Sequence, residues 1–160
     1  MNLVIRPIET GDNIALSKLI KSVLTEFKAN KPGTAYYDEA TDHLSSVFEH
    51  SESAYWVIEE NDKLIGGAGI FPTAGLPNDT CELVKLYLYP EARGRGLGKG
   101  LITKCLEKAK ALGYNYVYLE SMPELNQAVT LYEKLGFEKR TSAMGDSGHF
   151  GCDIWMVKKL

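Results

Sequence analysis

Residues 90–101, PEARGRGLGKGL, place glycines at 94, 96, 98 and 100, with Arg93, Arg95 and Lys99 among them. Leu97 and Leu101 already carry the spacing of a helix. Glycine lets a backbone come close to a bulky ligand, and consecutive N–H groups at a helix N-terminus point at an anion. The helix dipole adds roughly 0.3–1 kcal/mol for a nearby negative charge. The chemistry implied is anion holding, and the choice lies among phosphate motifs. A Walker A loop fails, because the residue five before Gly98 is Arg93 and the residue after Lys99 is Gly100, not a magnesium-binding hydroxyl. A dinucleotide fingerprint fails because Gly94, Arg95 and Gly96 are followed by Leu97, Gly98 and Lys99, without the last glycine. What remains is R-x-x-G-x-G between a strand and a helix. A glycine-rich turn with solvated charges is the plain alternative. Gly100 lies one turn inside the helix, where glycine costs about 1 kcal/mol against alanine, so close packing or close ligand approach would explain it.

Composition narrows the anion. The chain has 160 residues, is 44% hydrophobic and carries a net charge of −3, with a pI near 5.7. That length suits one domain, 1–160, with a sizeable core. A local basic cluster in an acidic chain suggests a small anionic ligand rather than nucleic acid. An RNA-binding RGRG segment is disfavoured by the acidic total and by the helix that follows. Cys81, Cys105 and Cys152 are odd in number and match no metal spacing, so reduced, buried thiols are expected, with no zinc site, no other metal and no disulfide framework. The N-terminal MNLVIRPIETGD has no apolar signal core, and no run approaches the ~18 apolar residues of a membrane span. A cytoplasmic protein without membrane contact is expected.

The elements that must position the loop follow from periodicity. NLVIRPIE alternates and predicts a strand at 2–8. A helix follows, capped by Thr10 or Asp12, with Ile14, Leu16, Leu19, Ile20, Val23, Leu24 and Phe27 as its apolar positions. Residues 30–42 read as a loop, and a second helix carries Leu44, Val47 and Phe48. Residues 53–60 and 63–72 predict an antiparallel hairpin, and 81–90 another strand ended by Pro90. The helix after the glycine loop spans about 96–112 and stops at Gly113. YNYVYLES is a strand, PELNQAVTLYEKLG a helix, and FEKRTSAM and CDIWMVKK two last strands around the turn GDSGHFG. The order predicts an α/β (α+β) architecture, a mixed sheet with helices on both faces.

Two segments together carry a family resemblance. The run from Arg93 to Gly98, preceded by LYLYP and followed by an amphipathic helix, resembles the acetyl-CoA-binding motif of the GCN5-related N-acetyltransferase (GNAT) superfamily. AVTLYEKLGFEKR, residues 128–140, is similar to that family's second signature. The likeness covers the chain and is densest over 81–140. It implies the GNAT fold: a mostly antiparallel sheet of about seven strands with a splay between the fourth and fifth. It also implies direct transfer of an acetyl group from acetyl-CoA to a primary amine in a ternary complex. The rival readings are an acyl-CoA-binding sensor without catalysis, and an acyltransferase with another acyl donor or a non-amine acceptor.

Carried over residue by residue, the resemblance makes Arg93, Gly94, Arg95, Gly96, Leu97, Gly98 and Lys99 the cradle of the coenzyme A pyrophosphate. The main chain of Leu86, Tyr87 and Leu88 would pair with the pantetheine arm. Tyr132 matches the tyrosine that protonates the leaving thiolate, although Leu125, Ala128, Val129, Tyr132 and Leu135 share a helical face and Tyr132 could be core. Many members have Asn seven residues before that tyrosine; here that position is Leu125, and Asn126 is one residue late, turned by about 100°. An alkyl amine titrates near ~10.4 and must lose a proton before it attacks. Glu82, eleven residues before Arg93, is the favoured base, against a strand-end carboxylate facing solvent or pairing with Lys85; Glu120 is the second candidate. Tyr36, Tyr37 and His149 are candidates for the acceptor pocket, although a lone histidine in a turn is usually exposed. Cys152 reads as core. The family often dimerises, so a homodimer is open, and the amine itself is undetermined.

Overall fold

The computed structural model describes residues 2–160. Its strands are β1 (Leu3–Pro7), β2 (Ala54–Glu60), β3 (Lys63–Phe71), β4 (Thr80–Leu88), β5 (Tyr116–Ser121), β6 (Glu138–Arg140) and β7 (Ile154–Lys159). Its α-helices are α1 (Asn13–Glu26), α2 (Leu44–Val47), α3 (Leu97–Ala111) and α4 (Asn126–Lys134). The seven strands form one sheet in the order β1-β2-β3-β4-β5-β7-β6, antiparallel except for β4 beside β5.

Strand alternation gives this sheet two apolar faces. Trp56 and Ile58 of β2, Cys81 and Leu83 of β4, and Val117 and Leu119 of β5 pack with α3 and α4. Tyr55 and Val57 of β2 and Val84 of β4 pack on the opposite face, with Leu16, Leu19, Ile20, Val23 and Leu24 of α1. Ile14 is a correction to the expected stripe: it is 76% exposed. At about 100° per residue it stands some 200° round the helix from Leu16.

Other boundaries moved for identifiable reasons. β4 stops at Leu88, because Pro90 opens a 3-10 turn, Pro90–Ala92, in place of a ladder bond. The expected strand over 137–144 shrinks to Glu138–Arg140, and residues 141–153 leave the sheet edge to form a long loop. The expected second helix is a single turn. The β2–β3 hairpin turns on Asn61 and Asp62, both with positive φ (50° and 65°), the geometry of a two-residue turn. Among the described residues, no helix is long and apolar enough to cross a membrane.

Two irregularities in β4 organise the site. Its parallel pairing with β5 covers only Thr80↔Tyr116, Cys81↔Val117 and Glu82↔Tyr118, so the strands part after Glu82. Against β3, Gly69 pairs with Val84 and Gly67 with Tyr87, so Ala68 faces both Lys85 and Leu86. That is a bulge, and Lys85 takes φ 54° to make it. The extra residue changes the parity of the strand. Upstream, Cys81 and Leu83 face α3 and α4; downstream, Leu86 and Leu88 do, and Tyr87 faces α1. The buried Tyr55 ring lies across β3, and its hydroxyl donates to the Lys85 carbonyl at 2.8 Å. Glycine is required beneath it: a Cβ on Gly67 or Gly69 would stand 2.7 or 2.6 Å from that ring.

Candidate active site

The parting of β4 and β5 opens a cleft of about 330 Å3. One wall is Leu86, Tyr87 and Leu88 on the edge that β5 has left. The opposite wall is Gln127, Ala128, Leu131 and Tyr132 of α4. Across the end lie Arg93, Gly94, Gly96, Gly98 and Lys99.

The glycine loop is built to present main chain. Gly94 and Gly96 have φ of 69° and 77°, the left-handed region that side chains disfavour. A Cβ on either would meet nothing within 4 Å, so backbone conformation, not crowding, selects glycine, and the space above stays open. Gly96 precedes α3 without a side-chain cap, and the helical ladder begins at Gly100 N–H to Gly96 C=O, 3.0 Å. The N–H groups of the first turn therefore have no intrahelical acceptor. At Gly98 a Cβ would touch Leu88 and Leu131 at 3.4 and 3.5 Å. At Gly100 it would meet nothing within 4 Å, so packing does not explain that glycine.

The two arginines have structural anchors. Arg93 pairs with both oxygens of Glu26 at 2.7 and 2.8 Å, donates to the Leu88 carbonyl and lies over the Phe27 ring at 4.8 Å. Arg95 is turned to Glu60 of β2, at 2.9 and 3.0 Å. The side chains thus tie the loop to α1 and β2, while Lys99 lines the cleft.

Glu82 stands at the fork, 3% exposed. Its Oε1 accepts a hydrogen bond from the Thr73 hydroxyl at 2.7 Å. Burial pushes its carboxyl up to about 7; the Thr73 bond opposes this, the Glu120 charge reinforces it, and His149 and Lys85 oppose it. Lys85, weighed as an alternative partner for Glu82, pairs elsewhere. Lys85 Nζ lies 2.5 Å from Asp38 Oδ2, which also takes His149 Nε2 at 2.6 Å. Burial alone would raise the Asp38 carboxyl, but the His149 bond and the Lys85 charge bring it down to about 2. His149 is accordingly not the exposed turn histidine that its sequence suggests; its side chain is 16% exposed.

Glu120 accepts hydrogen bonds from the Tyr118 hydroxyl at 2.7 Å and from Ser147. One ligand atom each from Glu82, Glu120 and His149 lies within 4.8 Å of the others, a spacing that can hold a cation. These three come from β4, β5 and the 141–153 loop, so no local spacing in the sequence reveals them. A neck of about 50 Å3 runs past Glu82, Glu120 and His149. It shares Glu120 and Ser121 with the cleft, and Glu82 and His149 with a third cavity of about 180 Å3. Lys85 lines all three.

Of the other expected residues, Tyr132 lines the cleft edge-on to Phe137 at 5.8 Å, its hydroxyl pKa raised by burial. Leu97 packs on the α3-side core instead of lining the cleft. Asn126 is exposed at the start of α4, and its neighbours Leu125 and Gln127 face the cleft. Tyr36 packs against the α1-side core and Tyr37 is 62% exposed, so Asp38 and Ala40 are what that loop brings to the third cavity. Cys152 lies half-buried in the neck, and burial pushes its thiol up to about 12, against any nucleophilic role. Thr73, Gln127 and Ser147 are not among the residues that the sequence singles out, and Lys85 enters there only as a possible partner of Glu82. The GGAG run at 66–69 opposite an aromatic residue was the available signal for the bulge.

Comparison with known proteins agrees with this geometry. The model of the acetyltransferase (GNAT) family matches residues 17–137. An uncharacterized N-acetyltransferase, YjgM of Escherichia coli K12, is 38% identical over 98% of this chain and 95% of its own length. An acetyltransferase of the same family from Staphylococcus aureus Mu50 has a similar fold, with TM-score 0.85 at 17% identity over 99% of both chains. The PaiA N-acetyltransferase of Thermoplasma acidophilum, solved in complex with coenzyme A, has TM-score 0.77 at 21% identity over all of both chains.

Proposed function

Since this chain belongs to the GNAT acetyltransferase family, we propose that it transfers the acetyl group of acetyl-CoA directly to a primary amine, both substrates being bound together. The observation that carries this reading is the parting of β4 from β5 immediately after a buried glutamate, beneath a loop of unclaimed amides. Acetyl-CoA, when bound, supplies the acyl group as a thioester.

The residues then divide the work. The amides from Gly94 to Lys99 fit a pyrophosphate, since an anion gains both donors and dipole there. The freed edge of β4 at Leu86, Tyr87 and Leu88 offers main-chain donors and acceptors to an extended pantetheine arm and to a carbonyl oxygen. Glu82 accepts the proton of the incoming ammonium, directly or through water. A carboxyl near 7 suits that role, being ionised in part yet basic enough to receive it. Glu120 lines both the neck and the cleft and supports the cation as it arrives. Tyr132 stays protonated at neutral pH, since burial raises it, and can donate to a departing thiolate. Holding both substrates together supplies much of the rate. That a protein of this fold from Thermoplasma acidophilum was solved in complex with coenzyme A supports the donor side.

The test is thiol release from acetyl-CoA across an amine panel, beside calorimetric CoA binding. Release that depends on the amine is expected. Tight CoA binding without release by any amine favours a sensor, and preference for a longer acyl group favours a different donor.

A further inference from the structure

Three electron-pair donors converge at the fork from separate elements: Glu82 of β4, Glu120 of β5 and His149 of the 141–153 loop. Glu82 is 3% exposed, and the side chains of Glu120 and His149 are 5% and 16% exposed. The Thr73 hydroxyl donates to Glu82 Oε1, and among the described residues no hydrogen bond reaches Oε2. The Tyr118 and Ser147 hydroxyls fix the Glu120 carboxylate. The Asp38 carboxylate takes His149 Nε2 at 2.6 Å, so that nitrogen carries the ring proton of a neutral imidazole. The Nδ1 lone pair then faces Glu120 Oε1 at 3.9 Å. Lys85 is paired with Asp38, which leaves Glu82 and Glu120 without a lysine or arginine partner among the described residues. Two buried carboxylates and a lone pair held this close favour a cation among them.

We propose that Glu82, Glu120 and His149 bind a divalent transition-metal ion, zinc by preference, and that the ion switches the enzyme off by occupying its base. The inhibition rests on the acetyl-transfer reading above; the binding does not. One imidazole nitrogen and two carboxylates suit zinc, whereas magnesium and calcium favour shells of oxygen alone. The Asp38–His149 bond is the outer contact that orients a metal-bound imidazole and fixes its tautomer. Zinc bonds near 2 Å place tetrahedral ligand atoms about 3.3 Å apart. The present separations are 4.8 Å at most, so a shift of about 1.5 Å or less closes the set. The neck past these three residues gives the ion a path and leaves a fourth position for water. An ion on Glu82 takes the lone pair that would accept the ammonium proton, and its charge repels the ammonium itself. No ligand is a cysteine and no two are close in sequence, so cysteine spacing does not reveal the set.

Metal-stripped protein is titrated with ZnCl2 in a calorimeter. Acetyl-amine formation is followed in parallel with the best amine of the panel, because zinc binds released thiol. One ion per chain is expected. Glu82→Gln, Glu120→Gln and His149→Gln should each weaken its binding more than tenfold, and Asp38→Asn about tenfold, as loss of an outer partner does. Cys152→Ser, whose thiol lines the same neck, should bind zinc as the wild type does. Calorimetric CoA affinity close to wild type reports an intact fold in each variant. Zinc should inhibit competitively against the amine and not against acetyl-CoA. A chelator should restore the rate, and MgCl2 should leave it unchanged. Lack of saturable uptake overturns the site, as does uptake that survives in all three glutamine variants or is lost in Cys152→Ser. Full uptake with an unchanged rate overturns the switch. Acetylation of no amine at all sinks the transferase reading and the inhibition together, while the calorimetry still decides the site.

Discussion

The glycine-loop cleft and the 180 Å3 cavity both reach Lys85, yet they are built differently. The cleft is assembled from neighbours in sequence: the end of β4, the glycine loop and the first turn of α3 fall within residues 86–99, with α4 closing the other wall. The cavity draws on Asp38, Phe71, Glu82 and His149, from four separate stretches of chain, and side-chain and backbone bonds tie the loops beside it together. A local cradle that binds with main chain tolerates change in its side chains. A cavity assembled from distant loops depends on each tie between them.

That contrast can be broken by experiment. The largest effect is expected from Gly96→Asp, which forces a side chain onto a residue at φ 77° and brings a negative charge to the cradle. CoA affinity should fall about 100-fold, ~2.7 kcal/mol; unchanged affinity by calorimetry refutes the cradle.

Glu82→Gln comes next, with kcat reduced about 100-fold, the lower end of general-base contributions, and CoA affinity nearly unchanged. In the wild type, kcat/KM should rise through pH about 7 as Glu82 ionises, and the variant should lose that limb. Stability has the opposite sign. The folded protein holds this proton above the ordinary value of 4.5, so the associated stability is full below pH 4.5 and is lost as pH rises through about 7. Thermal melts of Glu82→Gln should lack that decline. A variant with wild-type turnover across pH removes Glu82 as base.

Asp38→Asn tests the tie between loops. It leaves Lys85, whose side chain is 9% exposed, without its charge partner. The acceptor KM should rise about tenfold and the acetyl-CoA KM should change little, with a loss of roughly 1–3 kcal/mol in stability. Equal shifts in both KM values mean that the two regions are not separable.

The smallest effect is expected from Tyr55→Phe, which deletes the hydroxyl that holds the bulge carbonyl of Lys85. A loss of about 1 kcal/mol, or roughly 2–4 °C in Tm for a chain of this size, should accompany a few-fold fall in kcat. Because Lys85 lines all three cavities, both KM values should move slightly, which makes this variant the bridge between the regions.

Legibility in the sequence followed the same division. The order of elements along the chain, the tight turn between residues 60 and 63 and a helix start near residue 96 could be read because alternation, turn chemistry and glycine conformation act over a few residues. Ile14 misled because its type fits an apolar stripe and its angle on the helix does not. His149 misled because a turn histidine looks exposed until Asp38, 111 residues away, is brought against it. Asn126 invited a cofactor role by type, but α4 turns it to solvent and Gln127 to the cleft.

By itself, then, the sequence determined the strand-loop-helix whose free amides suit an anion, since φ freedom and helix-end N–H groups are properties of adjacent residues. It also determined the family to which that loop belongs. Only the tertiary structure decided that β4 parts from β5 at Glu82, that burial raises that carboxyl, and that distant loops are tied together beside it. Desolvation and charge pairing depend on which distant groups share a low-dielectric space, and no local pattern of residues encodes that.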